Sequence, residues 1–597
     1  MMRWLDQCRR AKHRSAGGQA QIKPACRMKG GIALSAMSSI TPVSDAASAT
    51  IIAIEPSAII ILPLLDYYHQ ELTPMVIPGQ TVTAGMPVAS GILSTVDGTV
   101  TAIEGRAVAH ASGRTAVCVV IEDHSLAEDD TNAALAIEEQ HDSNKLSRQS
   151  ITPNGSLTAT SVSTSTRLTL GNIQAAAIHG LGGAGFSTVK KLSDFADKPI
   201  QTLIINAVEC EPLLSCDVAL MVSDAVRILD GIRLLVEMLA CNHCVIAIED
   251  NRIAAIQSME TALKKLQDKQ GSFVANIKLQ LIPPVYPSGA ERMLVQIITG
   301  MDICPPNRPA NQGVLCLNVA TAHAAWLAAN HQPMLTRVVT IAGPKAAQPC
   351  NVRVKFGTPI RHVLEQTGNL PTDTAVRIRV GGPFSGYNLL DTEAAITATC
   401  NCLTLDAASA HPTAEPCIRC GACNEVCPVE LLPQQLLWHA RAEDLAGLDQ
   451  FNLDQCIKCG CCDWVCPSSI PLTDYFRFAQ SVKQTREYRI AQAKLAEQRF
   501  QQRQARQTAR KQKRKLDIDR RKAELRNRAA GKTTATPDHA DQHPTTANGT
   551  KAPAGTATLA DSTSAQSSSD IPPPADSISD TLARIKRQRS SQANNKK

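Results

Sequence analysis

Aromatic side chains are scarce: 9 Phe, 6 Tyr and 4 Trp in 597 residues, 3% of the chain. So few rings argue against a nucleic-acid binder built on base-stacking platforms. Long apolar runs are missing too. The best stretch, residues 51–65, is broken by Glu55, Pro56 and Pro63, and falls short of the roughly 20 residues that span a bilayer. Any membrane association is therefore expected to be peripheral. The Arg/Lys-rich first 30 residues contain no continuous apolar segment of signal-peptide type. Residues 1–28 read as a basic extension, of which 1–27 are dispensable or follow a misassigned start, and the compartment reads as cytoplasmic.

Cysteine is not lacking, but it is unevenly spent. Nine of 21 cysteines lie between Cys417 and Cys466, whereas a secreted disulfide scaffold spreads them through a small domain; dense clusters in a large chain point to metal ligation in a reducing compartment. Charge is segregated as well. The net +7 conceals 18 Lys/Arg against 5 Asp/Glu in residues 477–530 and 8 against 1 in residues 1–30, which leaves the body between them net acidic. An acidic body with two basic ends makes the whole-chain charge a poor guide to partners.

The chain is long enough for several domains, and its fold class is expected to be multidomain α/β with small β domains. Residues 29–123 hold short β-rich runs split by turns such as Pro78-Gly79 and Asp97-Gly98, the text of a small sandwich or barrel. A polar linker follows at 124–166. Over 167–335 strands and helices alternate: Ala175 to Ile178 reads as a strand entering a Gly-rich turn, Thr202 to Asn206 and Cys244 to Ile248 as strands, and Val218 to Leu239 as a helix. That alternation predicts an open α/β sheet. Residues 336–400 return to short strands around one helix, Pro359 to Gln366, at a β-grasp-like size. A Cys-rich unit spans 401–475 and a basic helical segment 476–530. The Thr/Ser/Pro/Ala-rich tail, 531–597, has too little apolar surface to fold.

Two copies of C-x2-C-x2-C-x3-C-P carry the clearest chemistry: Cys417, Cys420, Cys423 and Cys427 before Pro428, and Cys456, Cys459, Cys462 and Cys466 before Pro467. In this pattern three thiolates of one loop hold three irons of a [4Fe-4S] cubane, and the fourth cysteine ligates the other cluster. The expected sets are therefore Cys417, Cys420, Cys423 and Cys466 for cluster one, and Cys456, Cys459, Cys462 and Cys427 for cluster two. Cys461 is left over. A pair of zinc sites is the rival reading, but such sites use two C-x2-C pairs and no trailing Cys-Pro.

The segment His179-Gly180-Leu181-Gly182-Gly183-Ala184-Gly185-Phe186 satisfies G-x-G-x-x-G and precedes a helix-competent run through Lys191. Glycines there let backbone N–H groups approach a phosphate; a plain tight turn is the bland alternative. After the next apolar strand, Asn206-Ala-Val-Glu209-Cys-Glu211 sets an amide and two acids at a strand's carboxyl end, the ligand crevice of an open sheet. Acids that merely solvate a loop would look the same.

Together with Tyr286-Pro-Ser-Gly289-Ala-Glu291 and Leu317-Asn318-Val319, these motifs, in this order, resemble the RnfC family of the Rnf-type ion-translocating oxidoreductase complexes over about residues 29–475. The middle portion is similar to the flavin-binding, NADH-oxidising subunit of respiratory complex I. The resemblance implies that Gly180, Gly182, Gly183, Gly185, Lys191, Asn206 and Asn318 surround FMN, that Phe186 and Glu291 lie near flavin or NADH, and that Glu209 and Glu211 serve the reaction. It implies NADH as substrate, membrane-embedded partner subunits, and a peripheral place on the cytoplasmic side of the inner membrane. Two positions depart from the family pattern: Ser187 replaces a proline, and Val208 stands where the complex I relatives carry an acid. Residues 76–120 resemble a lipoyl-carrier barrel without an attachment lysine at Thr95-Val-Asp-Gly98. A flavin-free iron-sulfur docking protein, and a reducer of a redox-sensing transcription factor, remain the rival functions. The basic segment is read as a solvated helix or as an adhesive for anionic lipid or an acidic partner.

Overall fold

The structure, a computed structural model, describes residues 28–33, 50–67, 70–110, 112–125, 167–194, 198–270, 276–373, 375–407 and 414–531. Almost all of the expected tail and of the linker, and residues 1–27, lie outside them. The described residues fall in two units divided after Gln498.

In the first unit, strands Ile59–Pro63, Thr115–Asp123, Gly98–Ala107 and Thr81–Val82 form an antiparallel sheet in that order. Their alternating apolar residues, Ile60, Leu62, Val100, Val119 and Ile121 among them, close a small core of their own. Next come four parallel strands in the order Ile277–Ile282, His243–Glu249, Thr202–Ala207, Val314–Asn318. Leu203, Ile204 and Ile205 are fully buried, as expected of a parallel strand covered on both faces; each contributes roughly 1.5–3 kcal/mol by leaving water. The crossover helix Cys216–Leu239 packs on helix Val319–Ala329. A Cβ at Gly231 would lie 2.0 Å from the Ala322 carbonyl oxygen, so the glycine sets how closely the helices approach.

A third, mixed sheet has the order Tyr387–Asn388, Val376–Val380, Cys402–Ala407, Thr336–Ala342, Cys350–Lys355, Ile51–Ala53. Here two expected boundaries shift. Ile51–Ala53 pairs in parallel with residues 351–353, and Ile32–Ala33 pairs with Val285–Tyr286, so these two strands serve distant sheets rather than the β domain that follows them. Cys402–Ala407 completes the third sheet, which carries that domain past residue 400. The expected helix is present at Ile360–Gln366, with Pro359 as its N-cap. The expected strand at Ala175–Ile178 is not: Leu170–Ala175 is a helix, held by a reciprocal cap between Thr169 and Asn172.

The Cys-rich unit closes on short helices and then enters helix Leu472–Ala529. Phe476, Ala479 and Gln480 of this helix are buried, and Lys483 pairs with Asp449 and Asp454. In the second unit every described residue is exposed, which agrees with the solvated basic helix expected there. Among the described residues no helix is long and apolar enough to cross a membrane.

Candidate functional site

The strand order of the four-stranded sheet reverses between Thr202–Ala207 and Val314–Asn318. From the first of these the chain adds two strands on one side and then returns to the other, and such a switch point opens a crevice beyond the strands' carboxyl ends. Asn206 and Asn318 lie at the carboxyl ends of the two strands and are register partners. The Gly-rich segment lies over this end: a Cβ at Gly182 would stand 3.4 Å from the Asn318 Cβ.

The segment is a closed loop. His179 and Ser187 form an antiparallel bridge, and the Gly180 N–H donates to the Phe186 carbonyl at 2.8 Å. Gly183 and Gly185 adopt φ of 92° and 69°, which an L side chain resists, and a Cβ on Gly185 would meet the Thr399 methyl at 2.7 Å. Among the described residues, no hydrogen bond takes up the N–H groups of Gly182, Gly183 or Ala184. A loop with such free amides suits a phosphate. From below, buried Arg337 donates to the Leu181 carbonyl at 3.2 Å, and the Leu181 N–H donates to Thr321 Oγ1 at 3.2 Å. Ser187, in place of the family's proline, accepts the Lys190 N–H and caps the six-residue helix Thr188–Ser193.

Lys191 reaches into the crevice from that helix, donating to the Cys316 carbonyl at 2.7 Å and to Glu291 Oε1 at 3.0 Å. Asn206 donates to the Gly289 carbonyl at 2.8 Å and accepts the Val208 N–H; Asn318 caps its own helix and donates to Asp217 Oδ2 at 2.6 Å. Burial next to Glu209 pushes the Asp217 carboxyl up. Lys191, Asn206, Glu291, Asn318 and the glycine loop thus converge at one strand end. Phe186 lies at its border, edge-on to Tyr67 with ring centres 4.8 Å apart.

The two acids expected to serve the reaction are placed differently. Glu209 is buried and accepts from the Asp217 and Val218 N–H groups and from Cys216 Sγ, at 3.1–3.2 Å. It does a cap's work because Ser215, the N-cap, turns its hydroxyl to Asn351 instead. Glu211 is buried over Gly382 and accepts the Phe384 and Ser385 N–H groups at 2.7 and 3.0 Å. Burial raises its carboxyl, and those two N–H groups offset part of the rise. Both acids therefore tie elements together.

In the Cys-rich unit the sequence repeat is also a backbone repeat. Left-handed residues recur at matching places, Arg419 with Lys458, Gly421 with Gly460, and Glu430 with Ser469. Matching short helices, Ala422–Glu425 and Cys461–Trp464, follow. Each loop also has a thiol of the other loop among its electrostatic neighbours. Burial raises Cys423, and Cys420, Cys417 and Cys466 push it the same way; burial also pushes Cys456 up to about 11, with Cys459 and Cys427 beside it. Among the described residues, no three such ligands converge tightly enough for a single ion. In a cubane each thiolate binds a different iron, so the donor set and its spacing fit a cluster pair. Cys461, the left-over thiol, is fully buried in a core shared with Tyr286 and Phe384. Most other described cysteines are buried and unpaired, as small apolar groups.

Sequence reading missed Phe384 and the role of Tyr286, whose rings stack at 4.6 Å beside Glu211. Tyr286 stood in a motif, but Phe384 had no local signal.

A strand-end crevice under a glycine loop, joined to a twice-repeated four-cysteine motif, defines a cofactor-bearing electron-transfer protein. In agreement, residues 173–326 match the Nuo51 FMN-binding domain family and residues 416–470 the 4Fe-4S dicluster domain family. Among whole proteins, the chain is 40% identical to RnfC, the C component of the ion-translocating oxidoreductase complex, of Pseudomonas aeruginosa over 346 residues, 56% of this chain and 43% of that one. It is 37% identical to the protein of that name from Cronobacter sakazakii over 459 residues, 75% of this chain and 54% of that one. These relatives bear out the resemblance to the RnfC family, although the chain spans about half the length of the curated relatives it matches. An NAD+-reducing [NiFe]-hydrogenase structure aligns with 52% of this chain and 60% of its own at 18% identity, with a TM-score of 0.39.

Proposed function

We propose that the chain is the electron-transfer subunit of a membrane-bound, ion-translocating oxidoreductase complex, linking NADH through FMN and two [4Fe-4S] clusters to partner subunits. FMN, when bound, converts two-electron hydride chemistry into the single electrons that cubane clusters carry. The chain's own residues bind, orient and insulate. The Gly180–Gly185 loop holds the phosphate on backbone N–H groups. Lys191, anchored on Cys316 and paired with Glu291, supplies positive charge, and Asn206 and Asn318 keep the strand ends in register. Glu209 and Glu211 position the helix and the Phe384 loop that wall the crevice. The eight cysteines hold the clusters. The β domain around residues 76–120 acts as a lipoyl-like packing module, and the third sheet as a β-grasp-like spacer. The protein sits peripherally on the cytoplasmic face of the inner membrane, where the basic helix adheres to anionic lipid at about 1 kcal/mol per basic residue near the surface.

The observation that carries this reading is a shared core. Ile204 and Val208 of the crevice strand, Tyr286, Phe384, and Cys461 with Val465 of the second Cys loop pack in a single cluster, so crevice and cluster loops form one body. Anaerobic purification tests it: about eight irons and one flavin per chain are expected, with the flavin absorbance bleached by NADH. Iron without flavin would instead support the flavin-free docking reading.

A further inference from the structure

The two cysteine loops have unequal surroundings. The second is clamped to the crevice side of the molecule. Tyr286 Oη donates to the Cys459 carbonyl at 2.6 Å, and Arg292 donates to the Gln455 carbonyl at 3.3 Å. A Cβ on Gly460 would meet the Phe384 carbonyl oxygen at 2.7 Å. Cys427, the thiol lent to this set, is held from the same side, where the Gly31 N–H donates to the Val426 carbonyl at 2.9 Å. The part of the first loop before Val426 turns away. Its Cys420 is exposed, Ile418 beside it is 67% exposed, and its contacts run to Ser468 and Trp438, inside the Cys-rich unit.

Between crevice and second loop stand buried rings. Tyr286 and Phe384 stack at 4.6 Å, and Phe384 meets Trp464 of the second loop at 5.1 Å. Both ends of this bridge are fixed: Phe384 by Glu211, and Tyr286 by the turn it shares with Gly289, the partner of Asn206.

We propose that Cys456, Cys459, Cys462 and Cys427 form the inner end of the relay, exchanging electrons with the crevice across Tyr286 and Phe384, while Cys417, Cys420, Cys423 and Cys466 form the outer end that meets the redox partner. The order rests on the FMN and cluster content proposed above. Two electrons leave the reduced flavin singly and come to rest one on each cluster; the flavin is thereby oxidised, both clusters are reduced, and the flavin's protons go to solvent. Tyr286 and Phe384 are positioning residues and are not themselves oxidised.

The test reads each cluster by freeze-quench EPR after the bound flavin is reduced either by NADH or by light with EDTA as donor. In Cys459→Ser the outer cluster stays oxidised after flavin reduction yet is reduced by dithionite; in Cys420→Ser the inner cluster is still reduced from the flavin. The opposite pattern overturns the order. Should a cysteine variant fail to fold, Phe384→Leu, with its iron and flavin counts intact, slows reduction of both clusters relative to flavin bleaching, and an unchanged ratio of the two rates overturns the bridge. In a dithionite titration Tyr286→Phe shifts the midpoint of the inner cluster alone, since hydrogen bonds around the ligands tune a cluster's potential; a shift confined to the outer cluster, or none, overturns the assignment. Protein without flavin overturns the functional reading and the order together, whereas a bleached flavin with the outer cluster reduced first overturns only the order.

Discussion

At the crevice, the amides and acids already hold one another or backbone groups: Asn206 on Gly289, Asn318 on Asp217, Glu209 on a helix start, Glu211 on the Phe384 loop. In the Cys-rich unit the thiols face mainly each other, raised by burial and by neighbouring sulfur. The first region therefore keeps its shape through internal bonds, and its polar groups are costly to remove whether or not a cofactor is present. The second depends on its ligand, because thiols held protonated make few internal bonds, and metal binding, which displaces their protons, supplies folding free energy instead.

The sharpest way to break this contrast is to remove a lent thiol. Cys427→Ser should halve the iron content and leave the same residual EPR spectrum as Cys456→Ser; if it instead matches Cys417→Ser, the crossover is wrong. Glu209→Ala should destabilise the protein by about 2–4 kcal/mol in denaturant melts even without cofactors, since it strands buried N–H donors. Glu209→Gln should cost less. Glu249, fully buried with its carboxyl raised to about 7 by burial and relieved in part by Arg252, gives a pH signature. Between its ordinary 4.5 and about 7 the folded state keeps a proton that the unfolded state has lost, so stability should fall as pH rises through that window. Glu249→Gln should flatten the slope, worth up to about 3 kcal/mol by its upper end. Gly185→Ala, strained at positive φ by about 1–2 kcal/mol, should lower flavin content and leave iron unchanged. Smallest, Lys191→Ala should move melting by less than about 1 kcal/mol, because its pair with Glu291 is partly exposed, while weakening flavin retention.

The same contrast explains what could be read from the residues alone. A dicluster unit is encoded in spacing, so the stretch matched at residues 416–470 was legible from its cysteines alone. The strands Thr202–Ala207 and His243–Glu249 were legible because a two-sided parallel strand is an unbroken apolar run. Pairings across long separations were not. Nothing near Ile51 tells that it joins residue 351, and nothing near Phe384 tells that it stacks on Tyr286. Glu209 and Glu211 were found by motif, but whether an acid faces solvent, substrate or a helix start depends on which donors the fold brings to it. Ala175–Ile178 misled because its apolar residues cover the end of a short capped helix, where burial imitates a strand.

The crossing of the fourth cysteines has a consequence for biogenesis. If each loop supplies a corner of its neighbour's cage, neither cage can be built from one loop alone, so a severed half has none to inherit. Maturation then waits on the two loops folding together, while each inorganic core still stands when the other is lost.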